Sequence, residues 1–265
     1  ADRCLLAWDE GAVGRLWEVA TRRSVLEFPT HRIYGFSPDR RFVVVGAEAG
    51  GLAIVDLATG RTECRLAVPG RPCSCTFTVD LRQLIGGLTN GTIVGWDLPE
   101  LGGGVPQGGA SFDELAGDAP AAYSACWRLA ADPDAALSVL AEGLRAPDLD
   151  EERIEALLRG LDEGDFAARE AAQAELESLG LAAAGRLAHA LEAADTPVEV
   201  KGRVQAVLEA WSPQVLQSRR AIFALRAMGE RGRPLLERVA GEERWPEVVR
   251  GEAREALGVQ SLRSR

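Results

Sequence analysis

A translation of 41 residues carries one stretch of this chain onto the next, and that period restricts what its first hundred residues can fold into. The segment Gly35-Phe36-Ser37-Pro38-Asp39 falls on Thr76-Phe77-Thr78-Val79-Asp80. The same shift places Gly46 on Gly87, Asp56 on Asp97 and Leu57 on Leu98. Between these anchors lie short apolar runs, Phe42 to Val45, Leu52 to Val55, Cys73 to Phe77 and Thr92 to Trp96. Turn formers such as Pro38-Asp39 and Asn90-Gly91 separate them. Short β-branched runs split by tight-turn residues predict strands in hairpins. Four strands in about 41 residues match one blade of a propeller.

The segment Asn90-Gly91-Thr92-Ile93-Val94-Gly95-Trp96-Asp97-Leu98 resembles the strand that gives the WD-repeat family its name. Arg15-Leu16-Trp17-Glu18-Val19 and Ala53-Ile54-Val55-Asp56-Leu57 are its counterparts in two preceding units. The resemblance covers about residues 4–98 and departs from the family in three places. Val55 stands where the Trp is expected, Glu18 where the Asp is expected, and the family's Gly-His pair is missing. His31 lies five residues before Phe36, too near to be that histidine, so the family's buried hydrogen-bond network is not implied here. Counting strands gives an incomplete WD-type β-propeller of about two and a half blades over residues 1–100, starting in mid-blade. A ring needs at least about four blades. The remaining blades are therefore expected upstream of Ala1, because open edges and bare faces are avoided in water.

Residues 101–110, with Gly102-Gly103-Gly104-Val105-Pro106-Gln107-Gly108-Gly109, read as a linker. They lack the spacing of a phosphate-binding loop. Ser111-Phe112-Asp113-Glu114 has the form of a capping box, and from there apolar residues recur every three or four positions. A shift of 50 and then 49 aligns Ala122, Cys126 and Leu129 with Ala172, Leu176 and Leu179, then with Ala221, Leu225 and Met228. Leu137 and Leu140 fall on Leu187 and Ala190, then on Leu236 and Val239. Ile154, Leu157 and Leu158 fall on Val204, Val207 and Leu208, then on Ala253, Ala256 and Leu257. Pro147, Pro197 and Pro246 coincide, each ahead of the third helix, where a missing N–H costs least. Gly180 and Gly229 align where a left-handed cap is wanted. Residues 111–265 thus predict an α-helical solenoid of three three-helix units, stacked because one unit cannot bury its own stripe. The stretch from Asp165 through Gly180 resembles HEAT-like repeats of the bilin-lyase type, and 111–258 is similar to a helical module that follows propellers in large bacterial proteins. That resemblance implies architecture and little chemistry.

Charge is distributed unevenly along the chain. Residues 101–200 carry 20 acidic and 6 basic side chains, and 201–265 carry 8 and 13. Nucleic acid is disfavoured as a partner of the whole chain. Lys201 is the one lysine, a skew that points to a GC-rich genome. No uncharged apolar run of 18 residues occurs, so no membrane span is expected. Five cysteines, at 4, 64, 73, 75 and 126, read as buried reduced thiols of a cytoplasmic protein. Cys73 and Cys75, two apart, are expected on one strand face, too constrained for a metal clasp.

No catalytic, cofactor-binding or metal-binding set emerges. Ser-x-x-Lys, Gly-x-Ser-x-Gly and His-Glu-x-x-His are all missing. His189, between Ala188 and Ala190, reads as a partly buried packing residue. Asp148, Asp150, Glu151, Glu152 and Glu155 lack the order of a calcium loop and read as a solvated helix start. The leading expectation is a non-enzymatic protein–protein interaction scaffold. One alternative is anion or nucleic-acid contact by Arg219, Arg220, Arg226, Arg250 and Arg254 with Trp211 and Trp245, since Arg grips phosphate and indole stacks on bases. Those arginines could equally pair with the acidic middle. A lyase-type enzyme is the other alternative, by analogy of fold alone.

Overall fold

The computed structural model of the chain describes residues 5–10, 13–29, 32–47, 50–103, 108–145 and 151–263. Strands come first and helices follow, and the chain divides into two compact units after Pro133.

The first unit holds three antiparallel sheets. Strands β1 (Leu5–Glu10), β2 (Val13–Glu18) and β3 (Arg23–Pro29) form one. The middle sheet comprises β4 (Ile33–Phe36), β5 (Phe42–Gly46), β6 (Leu52–Asp56) and β7 (Arg61–Leu66), paired in sequence order. The third comprises β8 (Pro72–Phe77), β9 (Gln83–Leu88) and β10 (Ile93–Asp97). Strands β5 and β6 are buried at every position, so the middle sheet is covered on both faces. On one face Phe42, Val44, Leu52 and Ile54 pack with Phe77 and Leu84 of the third sheet. Strands β4 and β8 also run close: a Cβ at Gly35 would lie 2.2 Å from the Cys75 carbonyl oxygen, so glycine is required there.

The 41-residue translation extends to the turns. Ser37 Oγ donates to Asp39 and accepts from the Phe42 amide at 2.9 Å. Thr78 Oγ1 donates to Asp80 at 2.7 Å and accepts from the Gln83 amide at 3.0 Å. Arg40 and Leu81, 41 apart, both hold positive φ, 63° and 58°. A short polar side chain thus closes each turn over a residue forced into the left-handed region. Asp80 is held below the usual carboxylate range, first by the Thr78 hydroxyl and then by the Arg82 amide.

Helix α1 (Ala119–Ala131) belongs to this first unit and packs on β3. Its cap is Asp118, which accepts from the Ala121 amide at 2.9 Å. The capping box at Ser111 forms by half. Glu114 accepts from the Ser111 amide at 2.9 Å, but the chain makes a 3-10 turn over Asp113–Ala116 instead of an α-helix. Glu114 also takes an ion pair from Arg128, which holds its carboxyl below the usual range. Tyr123 of α1 donates to the Leu57 carbonyl at 2.9 Å in a buried site.

The second unit contains α2 (Pro133–Gly143), α3 (Glu151–Gly160), α4 (Phe166–Leu179), α5 (Ala184–Glu192), α6 (Val198–Ala210), α7 (Ser212–Ala227), α8 (Arg233–Gly241) and α9 (Glu247–Arg263). Shifts of 50 and 49 carry α2 onto α5 and α5 onto α8, and likewise α3 onto α6 and α6 onto α9. The expected stripes face inward: Leu140, Ile154, Leu176, Leu187, Val204, Leu225, Leu236 and Ala253 are 0–2% exposed. Leu179 and Ala190 are half-buried. Gly180 and Gly229, 49 apart, close α4 and α7 with φ of 65° and 62°. Pro197 and Pro246 immediately precede α6 and α9, whereas Pro147 lies outside the described residues. Among the described residues no helix is long and apolar enough to cross a membrane.

Candidate functional site

The arginines and tryptophans singled out in the tail are largely committed inside the second unit. Arg219 of α7 pairs with Glu252 of α9 at 2.6 Å, and Glu252 is 6% exposed. Arg250 lies 3.7 Å from Glu247, and Arg254 pairs with the same carboxylate. Arg220 is buried, and Arg226 lies 5.2 Å from the centre of the Phe223 ring. The acids opposite Arg219, Arg250 and Arg254 come from α9 itself, not from the acidic middle. Trp211 and Trp245 are also covered: their indole N–H groups donate to the Glu177 carbonyl at 2.9 Å and to Glu242 at 3.0 Å.

A cleft of about 540 Å³ opens between α3, α5 and the start of α9. His189, Arg186, Glu243, Trp245, Glu247 and Arg250 are among its walls. His189 is exposed here, not partly buried, because α5 turns Leu187 to the interior and the neighbouring positions Ala188 and His189 to the cleft. Two of the cleft's arginines are paired, Arg186 with Glu155 and Arg250 with Glu247. Beneath it, burial pushes Glu242 up, but hydrogen bonds from Arg244 and Trp245 outweigh it and hold the carboxyl below its usual range. Glu151 and Glu152 occupy the first turn of α3, while Asp148 and Asp150 lie outside the described residues. Among the described residues no three His, Cys, Asp or Glu side chains form a group able to hold a metal ion.

Among the described cysteines, Cys126 is buried, Cys64 and Cys75 are half-buried and Cys73 is exposed, all four with free thiols; Cys4 and His31 lie outside the described residues. Cys73 and Cys75 do not share a face. A register irregularity between Pro72 and Ser74 inserts one residue into β8. Cys73 then lies over Gly87, while Cys75 lies over Gly86 on the other face, beside Trp96. Burial raises the Cys64 thiol and pushes Cys75 up to about 11.

The third sheet is covered on one face only. Its inner face, with Phe77, Leu84 and Leu88, is buried, and its outer face carries Ser74, Thr76, Ile85 and Ile93 in the open. Ile93 is 75% exposed. Strand β10 is an edge: among the described residues no strand pairs with it on the side away from β9. The Leu88 amide donates to the Thr92 carbonyl and the Leu98 amide to the Arg82 carbonyl. This phase assigns Val94 and Trp96 to the ladder with β9, and turns the N–H and C=O groups of Ile93, Gly95 and Asp97 to the open side. Among the described residues, the segment after β10 does not pair with that side as it leaves. Gly102 donates its N–H to Glu63 at 3.2 Å, and its carbonyl accepts from Arg41 at 3.2 Å, both on the middle sheet.

No family model matches the sequence, and no curated protein matches it. Among solved structures, the chain is similar to the β-propeller domain of Cps50 (Swd1) from Myceliophteria thermophila, with 15% identity and a TM-score of 0.29. That match covers 36% of this chain and 34% of the other, a likeness too slight to fix the fold.

Proposed function

We propose that the chain is a non-enzymatic protein–protein interaction scaffold, made of about two and a half WD-type propeller blades and a HEAT-like helical array. Three successive antiparallel sheets, two of them related strand by strand through a shift of 41, support the blade reading. The recurrence of helices at 49–50 supports the array. The observation that carries the function is the third sheet, whose outer face shows Ile85 and Ile93 among polar residues and whose β10 edge no strand covers among the described residues. Such a surface invites pairing, and proteins leave one where a partner covers it. Commitment of the tail arginines to α9 carboxylates, with both indoles covered, favours protein over nucleic acid.

Affinity capture with the intact chain and with Ile93→Arg tests this. The proposal expects a partner recovered by the intact chain and depleted by the variant. Recovery of no partner specific to the intact chain contradicts it.

A further inference from the structure

The cleft between α3, α5 and the start of α9 is a meeting place of all three helical repeats, and its charges do not balance. Its walls carry the carboxylates Glu151, Glu192, Glu243 and Glu247. Glu247 is paired with Arg250 and Arg254, whereas Glu151, Glu192 and Glu243 have no ion pair among the described residues. The arginines of the walls are already matched, Arg186 to Glu155, Arg244 to Glu242 and Arg250 to Glu247. Glu151 stands in the first turn of α3, where it answers the positive end of its own helix. Glu192 and Glu243 lie at the other kind of end. Glu192 is the last residue of α5 and Glu243 follows the end of α8, so both exposed carboxylates add to the negative carbonyl ends of helices. The turn that bears Glu243 is pressed against α5: a Cβ at Gly185 would lie 2.5 Å from the Glu243 carbonyl oxygen. Ile154, Ala184 and Pro246 supply apolar wall between these charges. Among the described residues no three acids gather closely enough for a metal ion, so the surplus suits cations spaced along a chain. The cleft's 540 Å³ lies within the roughly 300–1,000 Å³ of sites that enclose small ligands.

Resting on the scaffold reading but placed on the helical unit, we infer that this cleft docks an arginine-rich segment of a partner protein. Glu192 and Glu243 take its guanidinium groups, and its methylene stems cover the apolar wall. Arginine suits the cleft better than lysine, because its planar fork binds a carboxylate through two N–H groups at once. An anion does not suit it: the unmatched charge is negative, and the Nε atoms of Arg186 and Arg250 are buried out of a ligand's reach.

The test is titration of the full chain into a fluorescein-labelled hexa-arginine peptide, followed by anisotropy. Saturable binding is expected, with none to a hexaglutamate peptide. Glu192→Gln together with Glu243→Gln should weaken binding about fourfold, roughly twofold for each exposed ion pair. Glu142→Gln together with Glu163→Gln removes the same charge outside the cleft and should leave binding nearly unchanged. The control positions match: Glu142 is the counterpart of Glu192 under the shift of 50, and Glu163 follows α3 as Glu243 follows α8. Glu192→Arg together with Glu243→Arg should abolish hexa-arginine binding and create binding of hexaglutamate, a gain that misfolding cannot mimic. Equal weakening by the two Gln pairs, or no gain for hexaglutamate, overturns the inference. Displacement of the peptide by spermidine at equal concentration would make the occupant a free polyamine and overturn it as well. A partner captured through Ile93 without cleft-specific peptide binding would leave the scaffold standing and remove this inference alone. Cleft-specific binding with no partner captured would count against the scaffold and not against the cleft.

Discussion

The strand unit and the helical unit are both built by repetition, but they fix their repeats differently. In the strand unit the two later sheets keep a strict 41-residue spacing, because backbone ladders lock register and a one-residue slip would turn every side chain over. Even the positive-φ residues, Arg40 and Leu81, recur in phase. In the helical unit the spacing drifts between 50 and 49, because side-chain stripes tolerate a residue gained or lost in a connection. The polar bonds differ as well. The strand unit concentrates charge in one deep pair: Asp56 is 0% exposed and receives Arg41 through two nitrogens at 3.1 and 2.9 Å. The helical unit has one comparably covered pair, Arg219 with Glu252, and spreads the rest over more exposed Arg–Glu pairs between neighbouring helices, such as Arg153 with Glu175 and Arg203 with Glu170.

The largest effect that could break this contrast lies at Arg41. Arg41→Ala should destabilise the strand unit by about 3–5 kcal/mol in urea melts, because the buried Asp56 carboxylate loses its counter-charge and keeps only the Ala58 amide. Arg153→Ala in the helical unit should cost less than about 1 kcal/mol. Equal costs would show that the two units are held alike. Next comes Leu176→Ala, which empties a fully buried position of the α4 stripe and should cost about 3 kcal/mol. Loss of amide protection should centre on α4 and α6, which pack together. Gly229→Ala should cost about 1–2 kcal/mol, since φ of 62° disfavours a Cβ.

The smallest effect concerns pH. Glu242 has a folded pKa below its unfolded value, so its contribution is present above about pH 4.3 and is lost as pH falls through the lower folded value. Glu242→Gln should therefore flatten the acid limb of the helical unit's stability profile and leave the strand unit's limb unchanged.

Periodicity made much of this architecture readable beforehand. The anchors Phe36 and Phe77, Asp56 and Asp97, and Gly180 and Gly229 fall at corresponding places, because each marks a turn, a strand end or a left-handed cap. Features outside the period were harder to read. The split of Cys73 from Cys75 depends on a one-residue bulge that composition does not signal. The exposure of His189 depends on which side of α5 meets α9's approach, a matter of tertiary packing. The open edge at β10 was half legible: the strand count implies bare edges, but the diversion of Gly102 to Arg41 and Glu63 joins residues 61 and 39 positions apart.

Residue-resolved amide hydrogen exchange across β6 and β10 tests the account at its centre. The amides of Ile93, Gly95 and Asp97 should exchange fast and those of Val94, Trp96 and Leu98 slowly, while Ala53 to Asp56 are slow throughout. Uniform protection along β10, equal to that of β6, would mean its outer side is already paired and would contradict the account.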